Sequence, residues 1–390
     1  MYEIEIHKFI RQHHYWESLL TSAPYNLEIK RKNGLIMFNY SHLKSDFSLK
    51  LVRECRGLIL REGTWEVVCR AMDKFMNAEE ANSDLDKIDW AKTTVQQKSD
   101  GSRIRIFFDW ERGLWCTSTS GTIDAFDAEL GVGGFSTFGD LFFFALKETL
   151  KQKNLTISDF YSQLDEESTY YFELTSPLNR VVVKYEEYRV YFLGWRDNVF
   201  GLEMLPDSSY CAQVLPRPKL YALNTYKEVC RAAEKLPHDE EGYVVCDSNF
   251  HRVKIKSPYY ITAHYFRTTF APTRARLVEV IIKGEVSELL AYCPELKEQV
   301  EELSNSMRNL ADRAQSIFNS LFSSYHQLDP WSQTRRNWAF MVKSYPIKKY
   351  LFWAYDQKMN GDNTDFFTWA SSYLNAKKWL DLLDMHQSQT

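Results

Sequence analysis

Lys98 sits in a segment whose composition would fix an amine in place and allow it to react. Thr93–Gln97 is β-prone, Ser99-Asp100-Gly101 carries turn chemistry, and Arg103-Ile104-Arg105-Ile106-Phe107 alternates as a second strand. The pattern predicts a hairpin with the lysine at its mouth, held on a stiff frame. Such a lysine is a nucleophile only as the free amine, so other groups must favour loss of its proton. Alone, Lys-x-Asp-Gly also describes a surface hairpin with a solvated lysine. The reading therefore rests on partners elsewhere in the chain.

Lys254 and Lys256 are the strongest of these. Their i, i+2 spacing in the β-prone Arg252–Lys256 puts both amines on one face, with Val253 and Ile255 on the other. Paired cations call for an anion between them; a phosphate fits, and their field would lower the pKa of a third lysine nearby. Without other motifs the same pair reads as the solvated face of an edge strand. Glu173, in Thr169–Leu174, shares a face with Tyr171, opposite Phe172 and Leu174. If buried, it needs a metal, a cation or a ligand hydroxyl. Glu241 follows the acidic Asp239-Glu240 and opens the strand-like Gly242–Val245, so it reads either as loop or as a metal-directed carboxylate. Arg56 and Lys74 flank predicted strands and have the reach for polyphosphate oxygens, the first as a planar fork and the second as a point charge. Together these residues describe a triphosphate site with a lysine nucleophile and two carboxylates for Mg²⁺ and ribose. The chemistry they imply is nucleotidyl transfer through a lysine phosphoramidate.

The elements that must position these residues are legible in outline. A chain of 390 residues suggests two or three domains, and 44% hydrophobic with 26% charged residues is ordinary globular composition. Net charge −4 and pI near 6.2 mean that any polyanion site must be a local basic patch. The N-terminus lacks a signal-peptide core and no apolar run reaches membrane-spanning length, so the expectation is a cytoplasmic protein, in the host cytoplasm if viral, with no membrane partner. Seven scattered cysteines without Cys-x-x-Cys fit a reducing compartment, and His13-His14 reads as a solvated helix face. Strands are predicted at Leu35–Phe38, Gly57–Leu60, Val67–Cys69, Leu114–Thr117, Thr169–Leu174, Arg180–Val183, Arg189–Leu193, Gly242–Val245 and Arg252–Lys256, besides the two flanking Lys98. Helices are predicted at Phe138–Lys151 and Tyr226–Lys235. Beyond Pro272 the periodicity is helical over Thr273–Cys293, Pro294–Phe322, Asn337–Gln357 and Asp365–Met385, marking a separate all-α domain. No Gly-x-x-x-x-Gly-Lys-[Ser/Thr] occurs, so no P-loop kinase module is expected in these residues.

The order of the motifs resembles that of the covalent nucleotidyltransferase superfamily, and within it the RNA ligase 1 (tRNA-repair) family of phages. Lys98-Ser99-Asp100-Gly101 resembles the nucleophile motif, and Phe172-Glu173 with Ser176-Pro177-x-Asn179-Arg180 the third motif, followed by its strand at Tyr191–Arg196. Glu241-Gly242-Tyr243-Val244 resembles the fourth motif and Lys254-Ile255-Lys256-Ser257 the fifth. Glu54-Cys55-Arg56-Gly57 and Lys74-Phe75-x-Asn77 are similar to the upstream polyphosphate segments, Phe38-Asn39-Tyr40 to the nucleotide-contacting tyrosine segment, and Tyr260 to a further tyrosine.

The resemblance spans residues ~35–260. It implies an α+β fold: a mixed or antiparallel-sheet nucleotidyltransferase (adenylation) domain over 1–262, then an all-α domain over 263–390 concerned with RNA specificity. It implies ATP and Mg²⁺, with Mn²⁺ as a substitute. Lys98 would take AMP from ATP and pass it to an RNA 5′-phosphate, from which a 3′-OH displaces it. Glu241 would bind metal, Glu173 ribose or metal, Lys254 and Lys256 the α-phosphate, and Arg56 and Lys74 the outer phosphates. Tyr40, Asp100, Gly101 and Tyr260 complete the implied nucleotide set. Cleaved tRNA is the implied RNA, and a separate kinase and phosphatase would heal unsuitable ends.

Two departures stand out. Ser118-Thr119-Ser120 lacks the lysines the family carries there, and Lys283 stands where it has an acidic, metal-associated residue. A DNA ligase, an mRNA guanylyltransferase or an inactive RNA-binding relative are the alternatives. The first two usually follow the fifth motif with a β-rich OB-fold, whereas helical texture follows it here.

Overall fold

The computed structural model describes residues 3–41, 44–80, 82–179, 182–237, 239–261, 273–361 and 365–387. The chain divides into two units, residues 1–268 and 269–390. The boundary expected after residue 262 falls within 262–272, outside the described residues.

The first unit is α+β. An antiparallel sheet runs in the order β1 (Leu27–Lys32), β2 (Leu35–Tyr40), β3 (Arg56–Arg61) and β4 (Val67–Cys69). The chain then supplies β5 (Met76–Asn77), β6 (Thr93–Gln97), β7 (Ser102–Asp109), β8 (Leu114–Thr119) and a small hairpin, β9 (Glu129–Val132) and β10 (Phe135–Thr137). Past the helix Phe138–Lys151 come β11 (Ser168–Thr175), β12 (Arg189–Asp197), β13 (Glu203–Met204), β14 (Leu220–Tyr221), β15 (Gly242–Asp247) and β16 (Arg252–Lys256). They build two five-stranded sheets, one ordered β13-β12-β11-β7-β8, the other β14-β6-β15-β16-β5. Only the β16–β5 pairing is parallel among the described strands, so the class is mixed and mainly antiparallel, as expected.

Alternation decides what each sheet buries. Ile104 and Ile106 of β7, Phe172 and Leu174 of β11, and Val190 and Phe192 of β12 pack on Leu141, Phe142, Ala145 and Leu146 of the helix Phe138–Lys151. That helix starts at a capping box, with Thr137 and Asp140 bonding each other's backbone amides. In the other sheet Val95, Val245, Val253 and Ile255 pack on Val229 and Ala233 of the helix Tyr226–Ala233. Each Val, Leu, Ile or Phe among them contributes about 1.5–3 kcal/mol when fully buried. The opposite faces of both sheets are thereby free to carry polar groups.

Two expectations are corrected. The hairpin around Lys98 does not form: β6 and β7 belong to different sheets, and Lys98–Gly101 crosses between them. Ladder bonding explains this, because Tyr243–Asp247 of β15 pairs with β6, whereas Ser102–Ile106 pairs with β11. The predicted strand Arg180–Val183 fails too. Arg180 and Val181 lie outside the described residues, and Val182 and Val183 form a bend whose amides bond the Asp100 carboxylate instead of a neighbouring strand.

The described part of the second unit is all helical, as expected, but more finely divided. Thr273–Cys293 splits into Arg274–Lys283 and Val286–Tyr292 because Gly284 takes a left-handed conformation (φ 67°) that stops the first helix. Pro346 separates Arg335–Val342 from Lys348–Met359. Among the described residues no helix is long and apolar enough to cross a membrane. All seven cysteines are free.

Candidate active site

The crossover from β6 to β7 places Lys98 between the two large sheets. Its amide bonds the Gly242 carbonyl at 2.8 Å, extending the β6–β15 ladder by one rung and fixing the Cα. Its Nζ donates to Glu241 Oε2 at 2.8 Å, and Lys256 Nζ lies 3.1 Å from Oε1 of the same carboxylate. Glu241 is only 4% exposed. A buried carboxylate of this kind is tolerable because two ammonium groups neutralise it. Glu241 ends the loop one residue before β15, and its burial and two ion pairs rule out a solvated side chain.

On β16 the burial alternates as the spacing predicts. Val253 and Ile255 are buried in the core, while Lys254 and Lys256 share the other face. Lys256 also stands 5.4 Å from the centre of the Tyr260 ring. Arg252, at the far end of that face, forms an ion pair with Glu203 of β13, which also accepts from Arg196 and Tyr171. This buried network ties the two large sheets together.

Glu173 comes from β11, on the face shared with Tyr171 and directly opposite Arg103 of β7. Its Oε1 accepts the Gly101 amide at 3.1 Å. Burial pushes its carboxyl up to about 7; Lys98 and Arg103 oppose the rise, and Glu241 and Asp100 add to it. Gly101 is required here by close approach, since a Cβ would overlap the Leu174 carbonyl oxygen. The turn after β11 is closed by Ser176 and Asn179; Asn179 Nδ2 donates to Leu174 O at 2.8 Å and Ser102 Oγ at 3.1 Å.

Asp100 is buried and engaged with protein. Oδ2 accepts the Val182 and Val183 amides at 2.8 and 2.7 Å, Oδ1 accepts the Tyr260 hydroxyl at 2.9 Å, and the Asp100 amide donates to Tyr185 Oη. Asp100 and Tyr260 therefore brace the lysine loop from behind.

The third part of the constellation is cationic. Tyr40 of β2 is buried, with Lys74 Nζ 5.2 Å from its ring and 4.5 Å from that of Phe47. Burial works to raise the Tyr40 hydroxyl, but Lys74, Arg56 and Arg103 outweigh it and hold it below the ordinary phenol. Arg56 opens β3 and lies 5.2 Å from the centre of the Phe75 ring.

Arg103 is the residue that sequence reasoning missed. Its Nη2 reaches Ser120 Oγ at 3.0 Å and Arg56 O at 3.4 Å, while Nε and Nη1 are buried and lack hydrogen-bond partners among the described residues. Burial and the neighbouring Arg56 and Arg105 push its guanidinium well below the ordinary range. Arginine at position 103 was legible as one of an alternating pair, but nothing in one sequence shows that it crosses to Ser120. The lysine-free Ser118–Ser120 is therefore lined by an arginine from the next strand.

Fold and site define an α+β protein with a lysine nucleophile candidate between two sheets, ringed by carboxylates and cations. A family model described as RNA ligase matches residues 54–260, a little over half of the chain, and the chain belongs to this family. It is 33% identical over 292 residues to a putative bifunctional polynucleotide kinase/RNA ligase of Autographa californica nuclear polyhedrosis virus, covering 70% of this chain. The match spans only 40% of that relative's length. An RNA ligase of Rhodothermus phage RM378 is 24% identical over 397 residues, covering 85% of this chain and 86% of the phage protein. Among solved structures, an archaeal ATP-dependent RNA ligase aligns over 77% of this chain and 78% of its own, with 14% identity and a TM-score of 0.44.

Proposed function

We propose that this chain joins RNA ends at the expense of ATP, through AMP carried on Lys98. The observation that supports it most is the Lys98–Glu241–Lys256 chain of contacts at 2.8 and 3.1 Å. It holds an amine beside a second cation able to bind the α-phosphate under attack. The amine must lose its proton before attacking, and Glu241 Oε2 is within hydrogen-bond reach of it. Lys98 Nζ then forms a bond to the α-phosphorus as the bond to pyrophosphate breaks. Lys254 and Lys256 face the α-phosphate, and Arg56, Lys74 and Arg103 the departing pyrophosphate, whose charge they stabilise as it develops. Tyr40 belongs to the nucleotide pocket. Asp100, Gly101 and Tyr260 hold the loop that carries the lysine.

The residues present fit Mg²⁺. No cluster of three or more His, Cys, Asp and Glu occurs among the described residues, but Mg²⁺ ordinarily takes one or two carboxylates plus phosphates and water. Glu241 and Glu173 would hold it with the nucleotide's phosphates, and Mn²⁺ would substitute. When bound, the ion supplies positive charge to the phosphates. Burial raises the Glu173 carboxyl, a cost that a nearby dication would offset.

In the second half of the reaction AMP moves from Lys98 to an RNA 5′-phosphate, and the 3′-OH of another end displaces it. Cleaved tRNA is the RNA we propose, with residues 269–390 contributing to its selection. Ends bearing 5′-OH would be healed by a kinase and phosphatase outside these residues. The test is incubation with ATP or GTP labelled at the α-phosphate, followed by sealing assays. Nicked anticodon stem-loops, linear single-stranded RNA and nicked DNA would be compared. Covalent label from ATP and sealing of RNA are expected; label from GTP alone would overturn the reading.

A further inference from the structure

The helix Arg335–Val342 in the second unit has two faces that differ completely. Trp338 and Val342 are fully buried. Trp338 stacks on Tyr355 (5.1 Å between centres), meets Tyr325 edge-on, and its Nε1 donates to Leu351 O at 3.2 Å. The other face, at i, i+4, i+7 spacing, carries Arg336, Phe340 and Lys343. Phe340 is 69% exposed, and Lys343 Nζ lies 3.9 Å from the centre of its ring. Just before the helix Trp331 is 91% exposed, more than any other large hydrophobic side chain described. It is carried on a tight turn in which Asp329 Oδ1 accepts the amides of Trp331 and Ser332. Both rings thus project from hydrogen-bonded backbone, a turn for Trp331 and a helix for Phe340.

Charge decides what such a surface would take. Residues 330–355 contain no Asp or Glu, yet they hold Arg335, Arg336, Lys343, Lys348 and Lys349, all exposed, in a chain of net charge −4. Asp356 answers Arg335 at 2.8 Å and closes the run. An apolar protein partner would not call for cations around the rings. Single-stranded nucleic acid does, because its bases stack on aromatic faces while its phosphates seek cations. We infer that Trp331, Arg336, Phe340 and Lys343 form a stacking surface for single-stranded RNA. The choice of RNA over DNA rests on the RNA-joining function proposed above.

The test uses the full chain and a fluorescent ten-nucleotide oligouridylate, with binding followed by anisotropy at several salt concentrations. Trp331→Ala and Phe340→Ala should each weaken binding by on the order of 10-fold. Arg336→Ala and Lys343→Ala should each lower the salt slope by about 0.7. Attachment of AMP to Lys98 should be unchanged in all four, and far-ultraviolet circular dichroism should report intact helices. RNA affinity unchanged in a folded Trp331→Ala/Phe340→Ala double variant would overturn the inference and leave the face to a protein partner. Equal loss against oligothymidylate supports the stacking surface. If the wild-type chain takes no AMP from ATP, the proposed ligase function fails, while the binding result still stands or falls by itself.

Discussion

Lys98 Nζ lies 2.8 Å from Oε2 of Glu241, a residue 143 positions further along the chain. The contact joins the crossover after β6 to the residue just before β15. It is therefore set by the β6–β15 ladder and not by local sequence. Lys98→Ala should abolish AMP attachment and all sealing. Glu241→Gln keeps the shape but removes the charge shared by Lys98 and Lys256, and should slow the first step on the order of 10²-fold. Labelling by α-³²P-ATP, followed by denaturing electrophoresis, reads both.

Arg103 separates stability from activity. Its guanidinium is buried beside Arg56 and Arg105, with two nitrogens unpartnered among the described residues, a costly arrangement without a bound anion. Arg103→Met should raise the melting temperature of the nucleotide-free protein by a few degrees. It should also cut AMP attachment by on the order of 10²-fold. Calorimetry with and without ATP checks the pair; a lower melting temperature with unchanged labelling would count against the site.

Gly242 has φ +142°, and a Cβ there would overlap the Ile255 carbonyl oxygen and stand 2.7 Å from Lys256 Cα. The strands can pair only because this residue lacks a side chain. Gly242→Ala should push β16 away from β15 and carry Lys256 off Glu241. The expected outcome is a folded protein of lower stability with AMP attachment reduced at least tenfold, as far as Lys256 acts at the transition state.

How far the sequence alone could be read follows from the range of the interactions. Alternation exposed Lys254 and Lys256 against Val253 and Ile255, and the run Phe138–Lys151 was legible as a helix, because both signals are local. The predicted hairpin at Lys98 failed for the opposite reason. Ser99–Gly101 carries residues that favour a turn, but β6 takes β15 and β7 takes β11 as the partners that separate them, each more than 60 residues away. Arg103 was missed on the same ground, since its contact with Ser120 depends on how β7 is aligned with β8. Asp100 was expected at the nucleotide; its contacts with Val182, Val183 and Tyr260 add a bracing role that no short motif reveals.

The pH dependence of stability has a defined sign. Burial lifts the carboxyls of Glu173 and Glu54 to about 7 from an ordinary 4.5, with Arg70 opposing the rise at Glu54. Below pH 4.5 each is protonated whether folded or not. Between 4.5 and 7 the unfolded chain ionises while the folded one keeps its protons, so the stability these groups confer falls as pH rises, and levels off above 7. The melting temperature should drop across that window, and Glu54→Gln should flatten the drop without touching the lysine site. A flat wild-type profile from pH 5 to 8, or an unaltered one in the variant, would contradict the assignment.

The alternation on β16 restricts how its gene can change length. Arg252, Lys254 and Lys256 face one way and Val253 and Ile255 the other, while Arg252 is pinned to Glu203. Losing one codon from β16 would turn aliphatic groups toward Glu241 and drive ammonium groups into the core. Losing two would preserve the facing. Length variation that survives selection in this strand should therefore come in even steps, and single-codon indels should concentrate in the loops on either side.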